Sequence, residues 1–211
     1  MPSVSSPPLR VAPQQERSER RLATFLDAAA TLFAQVGYEA ATMTAVAERS
    51  GSSIGALYNY FPDKQAIALT LLNQYGEEAE AHWKPLMEEA AKLSHQEFAN
   101  LFIERITELV RHRPAYLSLL AAPVRLRRPP AAKRALWVKI ANAFRAKNPS
   151  LSEEQSILAA KVALQMVKGL MTLYAEAEPK GKDLVVDEFK KVLTSYLGLI
   201  LHRDAAGARA Q

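Results

Sequence analysis

The sequence predicts an all-α protein. Apolar residues recur at intervals of three and four through most of the chain, which is the spacing of one helix face. No segment shows the strict apolar–polar alternation that is typical of a half-buried strand. Gly37, Gly51 and Pro62 fall at the ends of periodic segments, where helices commonly stop. Hydrophobic residues make up 49% of the 211 residues, so the chain can bury a core in one domain or two small ones.

The first predicted helix carries one apolar face and ends at Gly37, where a left-handed residue commonly closes a helix. Residues before about Gln14 contain four prolines and lack an apolar segment. They are predicted to form a disordered tail, and they do not indicate a signal peptide. The apolar positions of the helix are Leu22, Phe25, Leu26, Ala29, Leu32, Phe33 and Val36.

Two short helices are predicted next, joined by a glycine turn. Thr42 is suited to cap the first of them, which closes at Gly51. Ser52 or Ser53 can cap the second, Ile54 to Phe61. Two short helices around a tight turn with glycine form a helix-turn-helix pattern. Many helical proteins contain such corners, so the pattern alone is weak evidence of function.

The rest of the chain is also predicted to be helical. Pro62 stops the preceding helix, and Asp63 caps a longer one that begins at Lys64. Ser152 and Gln155 form a capping box for a late helix. The remaining helices are expected at about 96–111, 114–121, 131–147, 153–177 and 183–202.

The second short helix carries polar and small residues that a core contact does not need. Gly55 lies near a helix N-terminus, where free backbone N–H groups and the helix dipole favour an anion. Tyr58 and Asn59 share its flank, and their hydroxyl and amide groups can donate to a phosphate or a base edge. The alternative is that Tyr58 and Tyr60 are half-buried core residues and that Gly55 has no role.

A set of motifs in register extends over Arg21 to Leu72. Phe33 to Tyr38 match the motif F-x-x-x-G-[YF]. The predicted helix capped by Thr42 contains the pair Val46-Ala47, where the corresponding motif has I-A. The segment from Ser50 to Lys64, SGSSIGALYNYFPDK, matches A-G-V-S-x-G-T-L-Y-x-Y-F-x-x-K. About fifty residues therefore resemble the N-terminal DNA-binding domain of the TetR family of bacterial transcriptional regulators.

The resemblance implies DNA contacts, position by position. Thr42 would hold a phosphate at the N-terminus of its helix, and Ser53, Tyr58 and Lys64 would hold the backbone beside the recognition helix. Major-groove contacts would come from Ile54, Gly55, Asn59 and Tyr60. Together with Ala56, these are the predicted DNA-binding residues.

Three positions depart from the family pattern. Ile54 stands where a basic or polar residue is common, so an apolar contact, for example to a thymine methyl group, can replace a polar one. Ala56 replaces a Thr or Ser and removes a phosphate-binding hydroxyl. Ser52 replaces a Val that normally packs in the turn.

The resemblance also implies a domain division and a partner. Residues 1–15 and 204–211 would be disordered tails, 16–63 the helix-turn-helix domain, and 64–203 a helical ligand-binding and dimerisation domain.

The late helix from Glu153 to Ala177 is apolar outside a narrow polar stripe, so we expect it to pack on two sides. The alternative is a helix central to a monomer core. In the family, the last two helices pair with their copies and place two recognition helices ~34–36 Å apart. The dimer candidates are Leu164, Val167, Met171, Tyr174, Phe189, Leu193, Tyr196 and Ile200.

The middle helices are expected to form a pocket for a small-molecule effector. Binding would tilt the helix that begins at Lys64 and release a palindromic DNA operator. The alternative is a DNA-binding regulator without an effector, either constitutive or controlled by a protein partner. The pocket candidates are Trp83, Phe98, Phe102, Tyr116, Trp137, Phe144 and Met166, each of which can also be plain core.

Charge is unevenly distributed along the chain. The net charge is +5, and the segment from Arg111 to Lys147 contains ten Lys or Arg and no Asp or Glu. Within it, Arg125 to Arg134 reads RLRRPPAAKR. This stretch can be a second nucleic-acid contact, an attractor for an acidic effector, or a solvated loop and helix start.

The composition argues against several other classes of protein. Cysteine is absent, so disulfides and cysteine-ligated metal sites are excluded. The four histidines form no ligand-spaced pair, and the sequence contains no glycine-rich phosphate loop and no paired nucleophile and base. We therefore expect no catalytic residues, metal or cofactor. Without an apolar run of about 18 residues, we expect no membrane association and a cytoplasmic location.

Overall fold

A computed structural model describes residues 12–122 and 130–201, and these residues form nine α-helices and no strand. The predicted all-α class is confirmed. The helices are α1 (Ala12–Ala40), α2 (Met43–Arg49), α3 (Ile54–Tyr58), α4 (Lys64–Glu88), α5 (His95–His112), α6 (Ala115–Ala121), α7 (Pro130–Lys147), α8 (Glu153–Glu176) and α9 (Lys182–Leu201). Short 3-10 turns, Ala90–Lys92 and Pro179–Gly181, precede α5 and α9.

The first helix differs from the predicted one at both ends. It begins at Ala12, inside the segment expected to be a tail, and it continues past Gly37 to Ala40. Gly37 has φ 79° and ψ 167°, so it forms a kink and not a left-handed cap. Val36, expected on the buried face, is half exposed. The ring of Tyr38 packs against Phe33, with ring centroids 5.7 Å apart.

The turn between α2 and α3 has the expected glycine geometry. Gly51 has φ 65°, which favours glycine over any residue with a Cβ. The Gly51 N–H donates to the Glu48 carbonyl, and the Ser52 N–H donates to the Ala47 carbonyl, both at 3.0 Å. These two bonds form a Schellman motif that closes α2 and redirects the chain into α3.

Helix α3 is shorter than predicted. It ends at Tyr58, whereas the sequence suggested Phe61. The N–H groups of Tyr60 and Phe61 both donate to the Leu57 carbonyl, at 3.0 Å each, so the chain tightens into a turn before Pro62. Phe61 is buried all the same.

Helix α4 joins the helix-turn-helix domain to the rest of the chain. Ile67 and Leu71 near its start are buried, as are Trp83 and Leu86 near its end. Its 25 residues span about 37 Å at 1.5 Å per residue.

The second domain is built from α5 to α9. Helix α5 packs on α9, α7 packs on α8, and α8 packs on α9, while α6 lies against α1. The end of α7 fixes two neighbours. Lys147 donates to the carbonyl of Ala90 at 2.9 Å and to that of Leu93, and Asn148 donates to the carbonyl of Ile200 at 3.2 Å.

Helix α8 is long and apolar enough, by length and composition alone, to cross a membrane. It instead packs between α7 and α9, where its buried residues include Ala160, Val167 and Leu170. Its exposed side carries Lys161 and Lys168. Both features are those of a core helix.

Candidate nucleic-acid interface

Helix α3 packs against the rest of the helix-turn-helix domain with one side and exposes the other. Leu57 is fully buried, whereas Tyr58 is 52% exposed and Ile54 is 39% exposed. Gly55 and Asn59 are also exposed. The Tyr58 phenol and the Asn59 amide are thus available to a partner, as the spacing indicated. No residue from Ser50 to Asp63 carries a positive charge.

Gly55 has no structural requirement to be glycine. A Cβ placed there meets no atom within 4 Å, and the backbone does not have a positive φ. Alanine is also the better helix former by up to about 1 kcal/mol. The missing side chain therefore leaves open space at the surface, which fits the close approach of a ligand or a nucleic acid.

Two hydroxyl groups cap the helices of this domain. The Ala45 N–H donates to Thr42 Oγ1 at 3.1 Å, and the Ala56 N–H donates to Ser53 Oγ at 3.2 Å. Both hydroxyls are exposed and use only their oxygen as an acceptor in these bonds. The hydroxyl proton of each remains free for an acceptor such as a phosphate.

The Lys64 ammonium has partners within the protein, and its predicted phosphate contact stays a prediction. Its ammonium donates to the carbonyls of Tyr38 at 2.7 Å and Glu39 at 3.0 Å, and it lies 4.5 Å from the centre of the Tyr38 ring. These carbonyls belong to the last turn of α1, where a cation is favoured. Lys64 therefore ties the start of α4 to the end of α1.

Tyr60 and Ala56 turn toward the protein. The Tyr60 ring packs edge-on against Phe25, with centroids 5.4 Å apart, and its hydroxyl lies 3.2 Å from Ser18 Oγ. Ala56 is half buried against the core. The turn after Tyr58 directs the Tyr60 ring toward α1, and the DNA contacts of Tyr60 and Ala56 stay predictions.

The predicted pocket residues mostly form a closed aromatic core. Trp83 stacks on Phe102 with centroids 5.2 Å apart, and Phe98 contacts both Phe102, at 6.0 Å, and Phe144, at 5.9 Å. Tyr116 is buried and packs edge-on against Tyr75. Phe98, Phe102, Tyr116 and Phe144 are core residues, whereas Trp83 also lines a groove between α4 and α7.

The other two pocket candidates are half buried. Trp137 carries the Lys161 ammonium 4.7 Å above its ring, and Met166 packs against the core. Aromatic and long apolar side chains suit a pocket wall and a core equally well, so residue type did not distinguish the two.

A groove of about 530 Å³ lies between α4 and α7. The apolar side chains in it are Ala81, Trp83, Met87, Leu136, Ile140 and Ala143. Two ion pairs lie in its lining: Lys139 with Glu80 at 2.6 Å, and Lys84 with Glu88 at 3.9 Å. The lining therefore offers an apolar surface and four charges that compensate each other.

A second cleft, of about 480 Å³, is polar and lies between α4 and α5. Arg113 binds Glu78 there through two bonds of 2.8 Å, and these bonds raise the pKa of the Arg113 guanidinium. His82 lies 3.6 Å from Glu108. In the part of the chain that the structure describes, no three His, Asp or Glu side chains are placed to hold a metal ion.

The dimer candidates face their own subunit more than expected. Val167, Met171, Tyr174 and Leu193 are buried within the chain, and Leu164, Phe189, Tyr196 and Ile200 are half buried against its core. The first four are already buried within one subunit, and the predicted interface stays a prediction. The exposed apolar residues of α8 and α9 are Leu158, Leu173, Leu184, Val192 and Leu199. On α9, Leu184, Val192 and Leu199 are eight and seven residues apart and lie on one side of the helix. This spacing in the sequence could have identified the exposed apolar face of α9.

Two family models match the chain. Residues 25–71 match bacterial regulatory proteins of the tetR family, and residues 94–197 match the tetracyclin repressor-like C-terminal domain. The curated relatives include the HTH-type transcriptional repressor KstR of Mycolicibacterium smegmatis, 40% identical over 68 residues. That match spans 32% of this chain and 31% of KstR, about a third of each.

Solved structures share the fold at low identity. NalD, the secondary repressor of the MexAB-OprM efflux pump in Pseudomonas aeruginosa, has a TM-score of 0.64 and 20% identity, with coverage of 90% of this chain and 99% of that chain. A triclosan complex of SmeT, the Stenotrophomonas maltophilia repressor of SmeDEF, has a TM-score of 0.58 and 17% identity, covering 88% and 93%. With both domains matched to models of one family, the chain belongs to the TetR family of bacterial regulatory proteins.

Proposed function

We propose that this protein is a homodimeric repressor that binds a palindromic DNA operator and releases it when a small molecule binds. The observation that carries the DNA-binding part is the open flank at Gly55, a position where neither packing nor backbone conformation requires glycine. The names of KstR, NalD and SmeT, all repressors, support the same assignment.

The exposed side of α3 would enter the major groove. Gly55 would let the backbone approach the DNA, with Ile54 and Asn59 beside it at the base edges. Tyr58 would donate its hydroxyl to a phosphate, as would the capping hydroxyls of Thr42 and Ser53. Phosphate contacts set the register, and base contacts give the sequence preference.

A two-fold dimer would place two copies of α3 in successive major grooves. The exposed apolar residues of α9, Val192 and Leu199, provide a face that nothing in the described part of the chain covers. We assign the interface to this face together with Leu158 and Leu173 of α8, in place of the buried candidates. A self-complementary face of this kind is what a two-fold interface requires.

The effector would bind in the groove between α4 and α7. Its apolar side chains, Trp83 and Ile140 among them, suit an apolar or aromatic compound, and SmeT was solved with triclosan. The residues of α4 that line the groove are Glu80, Ala81, Trp83, Lys84, Met87 and Glu88. The same helix begins at Lys64, next to the recognition helix. A ligand that prefers the non-binding arrangement of α4 lowers operator affinity by the ratio of its two affinities.

Selection of binding sites from random duplex DNA tests the DNA-binding part. Wild-type protein should enrich a palindrome, and Tyr58→Ala should not, because the variant removes an exposed hydroxyl and ring without touching the core. Leu120→Ala is the matched control, since Leu120 is an exposed side chain on α6, outside the proposed surface. Recovery of DNA without sequence preference by all three proteins would contradict the proposal.

A regulator without a small-molecule effector is the second candidate. The packing of Phe98, Phe102 and Phe144 against one another favours it, because these three predicted pocket residues are buried core residues. Native mass spectrometry of freshly purified protein, followed by a screen of apolar compounds against the operator complex, separates the two candidates. A compound that binds saturably and releases the DNA supports an effector.

A further inference from the structure

We propose that the N-terminal turns of α1 form a second DNA contact, in which Arg17 and Arg21 bind phosphates that flank each half-site. The inference rests on the proposed function, since it requires an operator. It concerns residues outside the helix-turn-helix and extends the DNA surface beyond α2 and α3.

The recognition helix α3 and the turn after it carry no cation. The segment from Ser50 to Asp63 contains no Lys or Arg, and Lys64 uses two of its three N–H donors on α1 carbonyls. Arg49, at the end of α2, donates to Gln35 at 3.2 Å. Neutralised phosphates supply much of the affinity of a protein for DNA. Arg49 and Lys64 are the only cations from Met43 to Lys64, so cations on a neighbouring element would add substantially to the affinity.

Helix α1 is that neighbour. Ser18 Oγ lies 3.2 Å from the Tyr60 hydroxyl, two residues beyond the end of α3, and the Tyr60 ring packs against Phe25 of the same helix. These two contacts fix the N-terminal turns of α1 beside the recognition helix. A charged side chain on these turns is thus held next to the proposed DNA surface.

Arg17 and Arg21 share one flank of these turns. At 100° per residue, Arg21 lies about 60° and Arg17 about 100° around the helix from Ser18, in the same direction. Both are exposed, and within residues 12–122 and 130–201 neither guanidinium makes an ion pair or a hydrogen bond. Residues 1–11 contain no Asp or Glu that could pair with them.

The acidic neighbours on these turns are occupied elsewhere. Glu16 pairs with Arg20 at 2.5 Å, and Glu19 accepts from Gln15 at 3.1 Å. The pairing of Arg20 leaves Arg17 and Arg21 as an (i, i+4) pair of like charges. Such a pair is unfavourable on an isolated helix, and an anion that binds both guanidinium groups relieves the repulsion.

The experiment compares salt dependence on two duplexes that carry the operator selected by the wild-type protein. One duplex ends at the half-sites, and the other continues on both sides. Arg17→Gln/Arg21→Gln is compared with wild type and with Arg145→Gln/Lys180→Gln, which removes the same charge at exposed positions outside the proposed surface. Arg17→Lys/Arg21→Lys keeps the charge.

On the long duplex, the double Gln variant should bind at least tenfold more weakly at near-physiological salt. The slope of log affinity against log salt should be shallower by about 3 to 4 per dimer, as expected for four lost phosphates. The Lys variant should keep most of the slope, and the charge-matched control should behave as wild type. On the short duplex, the double Gln variant and wild type should differ little.

Equal slopes for the double Gln variant and its charge-matched control would overturn the inference while leaving the proposed function intact. A wild-type protein that selects no operator would overturn both. Tyr58→Ala serves as the reference for loss of a phosphate contact within the half-site, because it should weaken binding to both duplexes.

Discussion

The ammonium nitrogen of Lys64 lies 2.7 Å from the carbonyl oxygen of Tyr38. This bond joins the first residue of α4 to the last turn of α1 and closes the helix-turn-helix domain. Lys64→Met keeps the apolar stem over the Tyr38 ring and removes the ammonium. We expect the free energy of unfolding to fall by about 1 kcal/mol, because the carbonyls of Tyr38 and Glu39 lose a charged donor at a half-exposed site.

Urea denaturation at neutral pH measures the change. Lys84→Met is the matched control, since the ammonium of Lys84 is mostly exposed and makes only a loose contact with Glu88 at 3.9 Å. If Lys64→Met unfolds like wild type but binds the operator much more weakly, Lys64 is the phosphate contact that the family resemblance implies.

Gly55→Ala should separate stability from DNA binding. The added methyl group meets open space, so the variant should be as stable as wild type or more stable by up to about 1 kcal/mol. Operator affinity should fall at least tenfold, because the methyl group would stand between α3 and the DNA. Thermal unfolding and fluorescence anisotropy on the selected operator measure the two effects.

Gly51→Ala is the informative comparison. Gly51 has φ 65°, so alanine there is strained and should destabilise the domain by about 1 kcal/mol or more. Unchanged operator affinity in Gly55→Ala would show that the open flank is not the DNA surface.

The helix-turn-helix domain could be predicted from the sequence to a large extent. Thr42, Ser53 and Asp63 each cap the helix that was expected to follow, and Gly51 has the positive φ that a turn requires. Local chemistry decides caps and turns, and it is written in neighbouring residues.

The direction of side chains was harder to predict. Tyr58 and Tyr60 are two residues apart, so they point to nearly opposite sides of a helix, and only Tyr58 can share the flank of Gly55. That spacing could have assigned Tyr60 to the core. The partner of Lys64 could not be read in this way, because the Tyr38 carbonyl lies 26 residues away and belongs to a helix that was expected to end at Gly37.

The second domain shows the limit of periodicity. In α8, apolar residues occupy most positions, so the pattern indicates burial without identifying the helix that covers each face. Val167 and Met171 proved to be covered by the same chain. The same limit applies to the pocket candidates Phe98 and Phe102, because the sequence pattern is the same for a ring that lines a pocket and for a ring that fills a core.

Acid should weaken the start of α5 through Glu97. The Ser94 N–H donates to the Glu97 carboxylate at 2.8 Å, and this bond, with that to the Ser94 side chain, lowers the pKa of Glu97 below its usual value. A lowered carboxylate pKa gives stability that is present above the unfolded-state pKa and is lost as the pH falls through the folded-state value.

Glu97→Gln keeps a hydrogen-bond acceptor at this capping position but cannot titrate. We expect the unfolding free energy of wild type to decrease more than that of Glu97→Gln as the pH falls below about 4.5. Chemical denaturation between neutral pH and pH 3 measures the difference. Parallel curves for the two proteins would mean that Glu97 does not contribute to acid sensitivity.

Asn142→Phe should obstruct the groove between α4 and α7. Asn142 is an exposed residue of the groove lining, so a larger ring there fills space without disturbing the core. Apolar compounds such as triclosan, the molecule bound to SmeT, should change the fluorescence of Trp83 in a Trp137→Phe background, and Asn142→Phe should weaken that response at least tenfold.

Ala146→Phe is the matched control, since it adds the same side chain to an exposed position of α7 outside the groove. If both variants respond like the parent, the compound binds elsewhere. Loss of operator release in Asn142→Phe, with DNA affinity unchanged, would assign the effector to this groove.

The exposed apolar face of α9 should hold the dimer together. Val192 and Leu199 are seven residues apart, two turns along one face, and they are 47% and 84% exposed. In a two-fold interface each residue is buried twice, and burial of one such side chain contributes about 1.5–3 kcal/mol when it is complete. Val192→Glu/Leu199→Glu should therefore raise the dimer dissociation constant at least a hundredfold, and sedimentation equilibrium should show monomers at micromolar concentration.

The variant should also lose its preference for a palindrome over a single half-site, because two copies of α3 bind cooperatively only when the interface joins them. Leu120→Glu, at an exposed leucine on α6, should remain a dimer. A dimer that survives the α9 double substitution would place the interface on another surface of the second domain.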